Sequence, residues 1–199
     1  MDLQLGGKRA LVTGGSRGIG KAVARVLAAE GADVALLARD AERLAAAAAE
    51  LSAATGRRVI GVVADTTDDA AVQAAVAQAE AALGGPLQIL VNAAAEPAGD
   101  AAPPKLAEIR AGFLQAELDV KLMGYIRTSQ AVLPGMRATG WGRIVHISGL
   151  AARQTGNTVG SIRNVAVAAL AKNMADELGP AGIQVTVVHP GITRTERTA

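Results

Sequence analysis

The residues best suited to chemistry in this chain of 199 residues are four glycines near its start. Gly14, Gly15, Gly18 and Gly20 lie within the sequence LVTGGSRGIG, directly after a short apolar run. A pyrophosphate can reach backbone N–H groups and the positive end of a following helix where no Cβ stands in the way. The spacing therefore indicates a phosphate-binding turn between a first strand and a first helix. The alternative is a tight connection without a ligand.

Few other side chains offer acid–base or nucleophilic chemistry. The chain has no cysteine, which excludes a disulfide framework, a thiolate nucleophile and a thiolate metal site. The one tyrosine is Tyr125, in an apolar stretch, and it is interpreted either as a packing residue or as a substitute acid. His146 and His189 are interpreted as packing residues or as hydrogen-bonding partners of a site. Their spacing does not suit a metal, so no metal is predicted.

The charge balance and the apolar pattern exclude two classes of partner. The 20 Lys and Arg against 18 Asp and Glu give a formal net charge of +2, and the basic residues are scattered rather than arranged in a stripe. This pattern argues against nucleic-acid binding. No stretch reaches the roughly 18 to 20 uninterrupted apolar residues of a membrane helix. We therefore predict no nucleic acid, no membrane and a cytoplasmic location.

The elements that must position these residues alternate between short β-branched runs and longer alanine-rich stretches. Strands are predicted over 9–13, 33–38, 58–64, 88–92, 142–148 and 184–189. Helices are predicted over 19–30, 41–55, 68–83, 117–138 and 165–178, and a loop over 96–105. The pattern is typical of one α/β domain over residues 1–199, with a doubly wound, mostly parallel, Rossmann-like sheet. Ligands of such a domain bind beyond the carboxyl ends of the strands.

Charge at the end of the second predicted strand bears on the choice of cofactor. In doubly wound folds an Asp or Glu there holds the ribose hydroxyls of NAD, whereas this chain has Ala38 followed by Arg39. A guanidinium attracts a 2′-phosphate that a carboxylate would repel. Arg17, in the glycine loop, is a second cation. Each arginine alone could be a solvated surface residue, but together, with the carboxylate absent, they favour NADP(H) over NAD(H).

Several motifs in the same order make the chain resemble the short-chain dehydrogenase/reductase family. They are Thr13-Gly14-x-x-x-Gly18-x-Gly20, then Asp65-Thr66, then Asn92-Ala93-Ala94-Ala95, and finally Pro190-Gly191-Ile192-x-x-Thr195. The resemblance covers nearly the whole chain and implies a cofactor site. The cofactor-binding residues predicted from the resemblance and from the charge argument are Gly14, Ser16, Arg17, Gly18, Ile19, Gly20, Arg39, Asp65, Thr66, Asn92, Ala93, Ala94, Pro190, Gly191, Ile192 and Thr195.

The catalytic motif of the family is where the chain departs from the pattern. The family uses a Tyr and a Lys four residues apart on one helix, a Ser after the fifth strand, and an Asn on the preceding helix. Registration on this chain places Gly160 at the Tyr position, Asn164 at the Lys position and Lys121 at the Asn position. Gly149 stands at the Ser position, one residue after Ser148. The resemblance therefore implies an atypical catalytic site.

Three residues remain as catalytic candidates. Lys121 and Asn164 look exchanged between two helices, and the hypothesis is that the Lys121 ammonium still reaches the nicotinamide ribose. A solvent-exposed or salt-bridged lysine is the alternative. Ser148 is the candidate for contact with the substrate carbonyl, although alternation along the strand directs it to the other side. Arg163 either binds a substrate carboxylate or forms a surface ion pair.

Two functions follow from the resemblance and its departures. One is an NADP(H)-dependent oxidoreductase that interconverts a small carbonyl compound and an alcohol by hydride transfer. The alternative is a catalytically impaired protein of the same fold that acts as a nucleotide-binding or regulatory subunit. The helices over 117–138 and 165–178 correspond to those through which the family assembles, so a homodimer or homotetramer is expected. The chain also stops at Ala199, before the family's seventh strand, so either it is truncated there or its substrate pocket is open.

Overall fold

Six parallel strands form the central sheet of the structure, a computed structural model that describes residues 3–95 and 102–196. The strands are β1 (Arg9–Thr13), β2 (Asp33–Ala38), β3 (Val59–Val63), β4 (Ile89–Asn92), β5 (Gly142–Ile147) and β6 (Ile183–Val188). Each lies within one residue of its predicted bounds. Of the loop predicted over 96–105, residues 96–101 lie outside the described residues, and 102–105 form neither helix nor strand.

Helices cover both faces of this sheet. They are α1 (Gly18–Ala29), α2 (Ala41–Thr55), α3 (Asp69–Leu83), α4 (Ala111–Leu118), α5 (Gly124–Thr139) and α6 (Thr158–Leu178). A π-helical turn, Asp119–Met123, joins α4 to α5 without a break. None of the described helices is long and apolar enough to cross a membrane. The described residues also contain no group of His, Asp and Glu side chains that could hold a metal ion.

The strand order β3-β2-β1-β4-β5-β6 confirms the doubly wound, Rossmann-like prediction. All neighbouring strands pair in parallel. Side chains alternate between the two faces, so that Leu11 and Leu37 belong to one buried cluster and Val12 and Leu36 to the other. Because the order reverses between β1 and β4, a crevice opens there at the carboxyl ends of the strands.

Two helix starts differ from the prediction. The helix predicted from residue 165 begins at Thr158, where the Asn157 side chain accepts a hydrogen bond from the Gly160 N–H at 2.8 Å and caps it. The helix predicted from residue 117 begins at Ala111. Both extensions contain glycine and polar residues that interrupt the apolar period, and packing between α4 and α6 holds them helical. The first correction places Gly160 and Asn164 on the same helix.

Candidate cofactor and catalytic site

A cleft of about 960 Å³ lies at the crevice between β1 and β4. Its walls come from the β1–α1 turn, the ends of β2 and β3, and the segment after β4. Twelve of the residues predicted to bind a cofactor line it: Gly14, Ser16, Arg17, Gly18, Ile19, Gly20, Arg39, Asp65, Thr66, Ala93, Ala94 and Thr195. The structure therefore brings together most of the predicted cofactor residues, which are far apart in the sequence.

The glycines allow the β1–α1 turn to close on itself. A Cβ on Gly20 would lie 2.3 Å from the carbonyl oxygen of Gly14, and one on Gly14 would lie 3.0 Å from that of Ala93. Gly14 also has a φ of 66°, which side chains rarely adopt. The glycines are thus required by the fold, and they leave the backbone of the turn open towards the cleft.

The first turn of α1 already holds an anion. The helix begins at Gly18 without a side-chain cap from Arg17. Instead, the Gly18 N–H donates to Oε2 of Glu196 at 3.0 Å. Hydrogen bonds from its own N–H and from that of Gly18, together with Lys21 and Arg17, lower the pKa of Glu196. Sequence reasoning stopped one residue earlier, at Thr195, and no motif marked this carboxylate.

Charged residues at the ends of β2 and β3 face each other across the cleft. The Arg39 guanidinium lies 3.8 Å from the Asp65 carboxylate, and the two side chains are 60% and 41% exposed. Burial alone would raise the pKa of Asp65, but hydrogen bonds from Thr67 and the charges of Arg39 and Arg127 lower it. An ion pair of this length and exposure is weak, so Arg39 can exchange the carboxylate for a ligand phosphate at little cost.

Asn92, a predicted cofactor residue, lies beneath the cleft rather than in its wall. It is fully buried, and its Oδ1 accepts hydrogen bonds from Thr128 at 2.8 Å and from Thr13 at 3.4 Å. The Thr13 hydroxyl in turn accepts from the N–H groups of Ala93 and Ala94. Asn92 and Thr13 therefore hold the segment after β4 in its place against the cleft.

Tyr125 and His146 have buried packing positions. Their rings stack with centroids 5.3 Å apart, and the Tyr125 hydroxyl donates to the Ile147 carbonyl at 2.9 Å. Burial raises the pKa of Tyr125 and lowers that of His146 to about 4. The Asn92 amide lies 3.2 Å from Nδ1 of His146. These contacts favour the packing interpretation of Tyr125 over that of a substitute acid.

Lys121 and Asn164, the exchanged pair, lie side by side. The Lys121 ammonium donates to Oδ1 of Asn164 at 3.1 Å and to the Ser148 carbonyl at 2.7 Å. The Ser148 hydroxyl donates to the Asn164 carbonyl at 3.0 Å. Lys121 is 5% exposed, which rules out the solvent-exposed alternative. The three catalytic candidates thus form one buried cluster after β5, while their roles stay predictions.

The two glycines at the family's Ser and Tyr positions have close neighbours. A Cβ on Gly149 would lie 2.7 Å from Nδ2 of Asn164, and a Cβ on Gly160 would lie 2.8 Å from the side chain of Asn157. The second neighbour is the cap of α6. Neither position can therefore take a larger residue unless the neighbouring asparagine moves, because that asparagine occupies the space of a Cβ.

The predicted segment after β6 reaches the cleft only at its end. Thr195 lines the cleft, and its methyl carbon lies 3.7 Å from where a Cβ on Gly18 would be. Pro190 instead lines an apolar groove of about 470 Å³ between α1 and the β4–β6 part of the sheet. Gly191 and Ile192 are exposed to solvent. The cofactor roles of these three residues stay predictions.

Proteins of similar sequence belong to one family of dehydrogenases and reductases. The family model described as short chain dehydrogenase matches residues 8–199. The chain belongs to this family. Among curated relatives, an uncharacterized short-chain type dehydrogenase/reductase, y4mP of Sinorhizobium fredii, is 35% identical over 98% of this chain and 77% of its own length. The oxidoreductase UcpA of Salmonella typhimurium is 36% identical over 96% of this chain and 72% of its own length.

Solved structures resemble this short-chain dehydrogenase over almost its full length. L-sorbose reductase from Gluconobacter frateurii, complexed with NADPH and L-sorbose, has a TM-score of 0.90 and 32% identity over 99% of this chain and 74% of its own. A short chain dehydrogenase from Burkholderia cenocepacia in complex with NADP has a TM-score of 0.83 and 40% identity over 97% of this chain and 77% of its own.

Proposed function

We propose that this short-chain dehydrogenase is an NADP(H)-dependent oxidoreductase that interconverts a small carbonyl compound and its alcohol by hydride transfer. The observation that carries the proposal is the cleft at the switch point of the sheet, where open backbone and the positive end of α1 meet. The NADPH and NADP bound by two similar structures support the same cofactor. The predicted single domain over residues 1–199 would be the cofactor-binding unit.

The donors and charges of the cleft fit a dinucleotide. The N–H group of Gly18 already binds a carboxylate, so the same position suits a phosphate. Asp65 and Thr66 would contact the adenine, and Thr195 would contact the nicotinamide end. When bound, the cofactor supplies the hydride. The side chains of this chain bind it, orient it and exchange the proton.

The preference for NADP(H) over NAD(H) rests on Arg39. Its guanidinium lies at the end of β2 and lines the cleft, where an NAD-binding fold carries a carboxylate. We expect Arg39→Gln to weaken NADPH binding by about 10-fold or more, because a charge-assisted contact is lost, and to leave NADH binding nearly unchanged. Nucleotide fluorescence titration measures both affinities.

A matched arginine outside the cleft controls for net charge. Arg25 is exposed on α1 and does not line the cleft, so Arg25→Gln should bind NADPH as the wild type does. Equal losses in both variants, or equal affinity of the wild type for NADH and NADPH, would contradict the assignment of Arg39 to a 2′-phosphate.

The catalytic end is proposed to consist of Lys121, Asn164 and Ser148. Their hydrogen bonds join Lys121 and Asn164 to Ser148, directly after β5, and this supports contact with the nicotinamide ribose of a bound cofactor. Oxidation of NADPH with a panel of ketones and aldehydes tests for turnover. Loss of a general acid typically removes about 10² to 10⁴ in rate, so turnover without the tyrosine is expected to be slow unless another group of this cluster supplies the proton.

A nucleotide-binding subunit without catalysis is the second candidate. It is favoured by one observation, the close packing of Gly149 and Gly160 at the two positions where the family carries its Ser and Tyr. Tight NADPH binding without any turnover above background would select this function over the first.

Two further features belong to the proposal. Ile162 and Val165 expose apolar side chains on α6, which supports a homodimer or homotetramer formed through this helix and the α4–α5 segment. Light scattering that shows a monomer at working concentration would count against it. The cytoplasmic location stays a prediction.

A further inference from the structure

Three charged side chains with little exposure meet between α4, the π-helical turn and α6. Arg163 on α6 forms an ion pair with Glu117 on α4, and the two side chains are 18% and 16% exposed. Lys121, in the π-helical turn, is 5% exposed and lies close enough to both for their charges to act on its ammonium. We name Glu117, Lys121 and Arg163 the buried charge cluster. It contains two cations and one anion.

Lys121 lacks a carboxylate partner within this cluster. Its two hydrogen-bond acceptors, the Ser148 carbonyl and the Asn164 amide oxygen, are both neutral. The Glu117 carboxylate is bound by Arg163, and the carboxylate of Asp119, in the same turn, is bound by Arg127 at 2.8 Å. The buried charge cluster is therefore electrically neutral only when the Lys121 amine has lost its proton.

The surroundings favour that neutral form. Removing an ammonium from water is costly unless a counterion compensates it, so burial acts against the charged amine. Burial and the neighbouring Arg163 together lower the pKa of Lys121 to about 7, although Glu117 opposes them. A group whose pKa lies near the operating pH is well suited to both giving and taking a proton.

Lys121 lies near the wall of the cleft, although it is not itself part of that wall. Ser148, its carbonyl partner, follows directly after β5 at the carboxyl edge of the sheet. Val120, the preceding residue, lines the cleft itself. An ammonium has three N–H donors, and two of them are used by Ser148 and Asn164. The charged form therefore keeps one N–H donor beyond these two contacts.

We propose that Lys121 is the proton donor and acceptor of this enzyme in place of the missing tyrosine, and that Arg163 and Glu117 set its charge. In carbonyl reduction, one N–H bond of Lys121 breaks and the O–H bond of the alcohol forms, while the carbonyl carbon receives a hydride from the cofactor. The neutral amine then regains a proton from water. Oxidation runs these steps in reverse. The inference rests on the proposed function for its hydride.

Lysine NMR tests the protonation of Lys121 without any turnover. The chain has five lysines, so carbon-13 at Cε gives five signals, and the one missing in Lys121→Met belongs to Lys121. We expect this signal to titrate near pH 7, about three pH units below an ordinary lysine. A midpoint near the ordinary value of about 10.4 would overturn the inference.

Two variants of the cluster should move that midpoint in opposite directions. Arg163→Gln removes a neighbouring cation and frees Glu117, so the pKa of Lys121 should rise. Glu117→Gln removes the anion, so it should fall. Arg163→Lys keeps the charge and should restore a midpoint close to that of the wild type. Shifts in the same direction, or none in folded variants, would contradict the proposed control of charge.

Kinetics separate proton exchange from a mere contact with the cofactor. Lys121→Met should lower kcat by about 10² to 10⁴. Lys121→Arg should not rescue it, because arginine keeps its proton. Rescue by arginine would assign Lys121 to ribose binding alone and overturn the inference.

The proposed function is tested separately on the same wild-type protein. Turnover with a lysine midpoint near the ordinary value would overturn this inference and leave the proposed function standing. A midpoint near 7 without turnover on any carbonyl would instead overturn the proposed function, and the catalytic role of Lys121 with it.

Discussion

The Glu196 carboxylate accepts a hydrogen bond at the first turn of α1. Its negative charge repels the phosphate that the cleft is proposed to bind. Because Gly18 donates to this carboxylate, a phosphate at the same place must displace it. We expect Glu196→Gln to tighten NADPH binding about fivefold, which corresponds to about 1 kcal/mol for a charge at a helix N-terminus. Fluorescence titration at low salt measures the change.

Asp176 provides the control for this prediction. It is an exposed acid on α6 that does not line the cleft, so Asp176→Asn removes the same charge elsewhere. If both variants tighten binding equally, the effect comes from net charge. If Glu196→Gln binds NADPH no better than the wild type, the carboxylate does not compete with phosphate.

Residues that belong to ordered motifs could be predicted from sequence, whereas their partners could not. The exchange of Lys121 and Asn164 follows from registration, and the structure places the two in contact. The ion pair of Arg163 with Glu117 depends on how α4 packs against α6, and the sequence around Arg163 does not distinguish this ion pair from a contact with a substrate carboxylate. Glu196 reaches α1 from the far end of the chain, and no local pattern announces such a contact.

The start of α6 depends on one side chain at the element scale. Asn157 accepts the Gly160 N–H at 2.8 Å and thereby caps the helix that carries Asn164. We expect Asn157→Ala to lower the free energy of unfolding by about 1 kcal/mol, and Asn157→Asp, which keeps an oxygen acceptor, to change it little. Urea unfolding followed by circular dichroism measures both. Equal losses would show that packing, not capping, fixes this end.

Some boundaries of strands and helices depend on the local sequence, and others depend on tertiary packing. The strand bounds follow from sequence to within one residue because most strands are short β-branched apolar runs, and turn or helix signals separate them. The cap of α2 is local as well, because the Asp40 carboxylate accepts the Arg43 N–H at 3.0 Å. The first two turns of α6 and the π-helical turn around Lys121 carry no apolar period, so their form depends on tertiary packing.

The buried bases connect the site to the stability of the whole molecule. Lys121 has a pKa of about 7 in the folded protein, against about 10.4 when unfolded, and His146 has about 4 against about 6.5. Within each of these windows the unfolded chain binds more protons than the folded chain. The free energy of unfolding therefore rises with pH across both windows. The stability gained in this way is lost again as the pH falls towards the pKa of each group in the folded protein.

In the range between the folded and the unfolded pKa of Lys121, the change in stability with pH reports on this lysine. The free energy of unfolding of the wild type should rise between about pH 7.5 and pH 9.5, by at most about 1.4 kcal/mol per pH unit. Above about pH 10 the raised pKa of buried Tyr125 acts in the opposite direction, because the unfolded tyrosine then ionises first. Urea unfolding inside the window should show the slope in the wild type and in Lys172→Met, an exposed lysine on α6, but not in Lys121→Met. A slope that survives Lys121→Met would assign the proton uptake to another group, and a flat wild-type profile would mean that Lys121 stays charged in the folded protein.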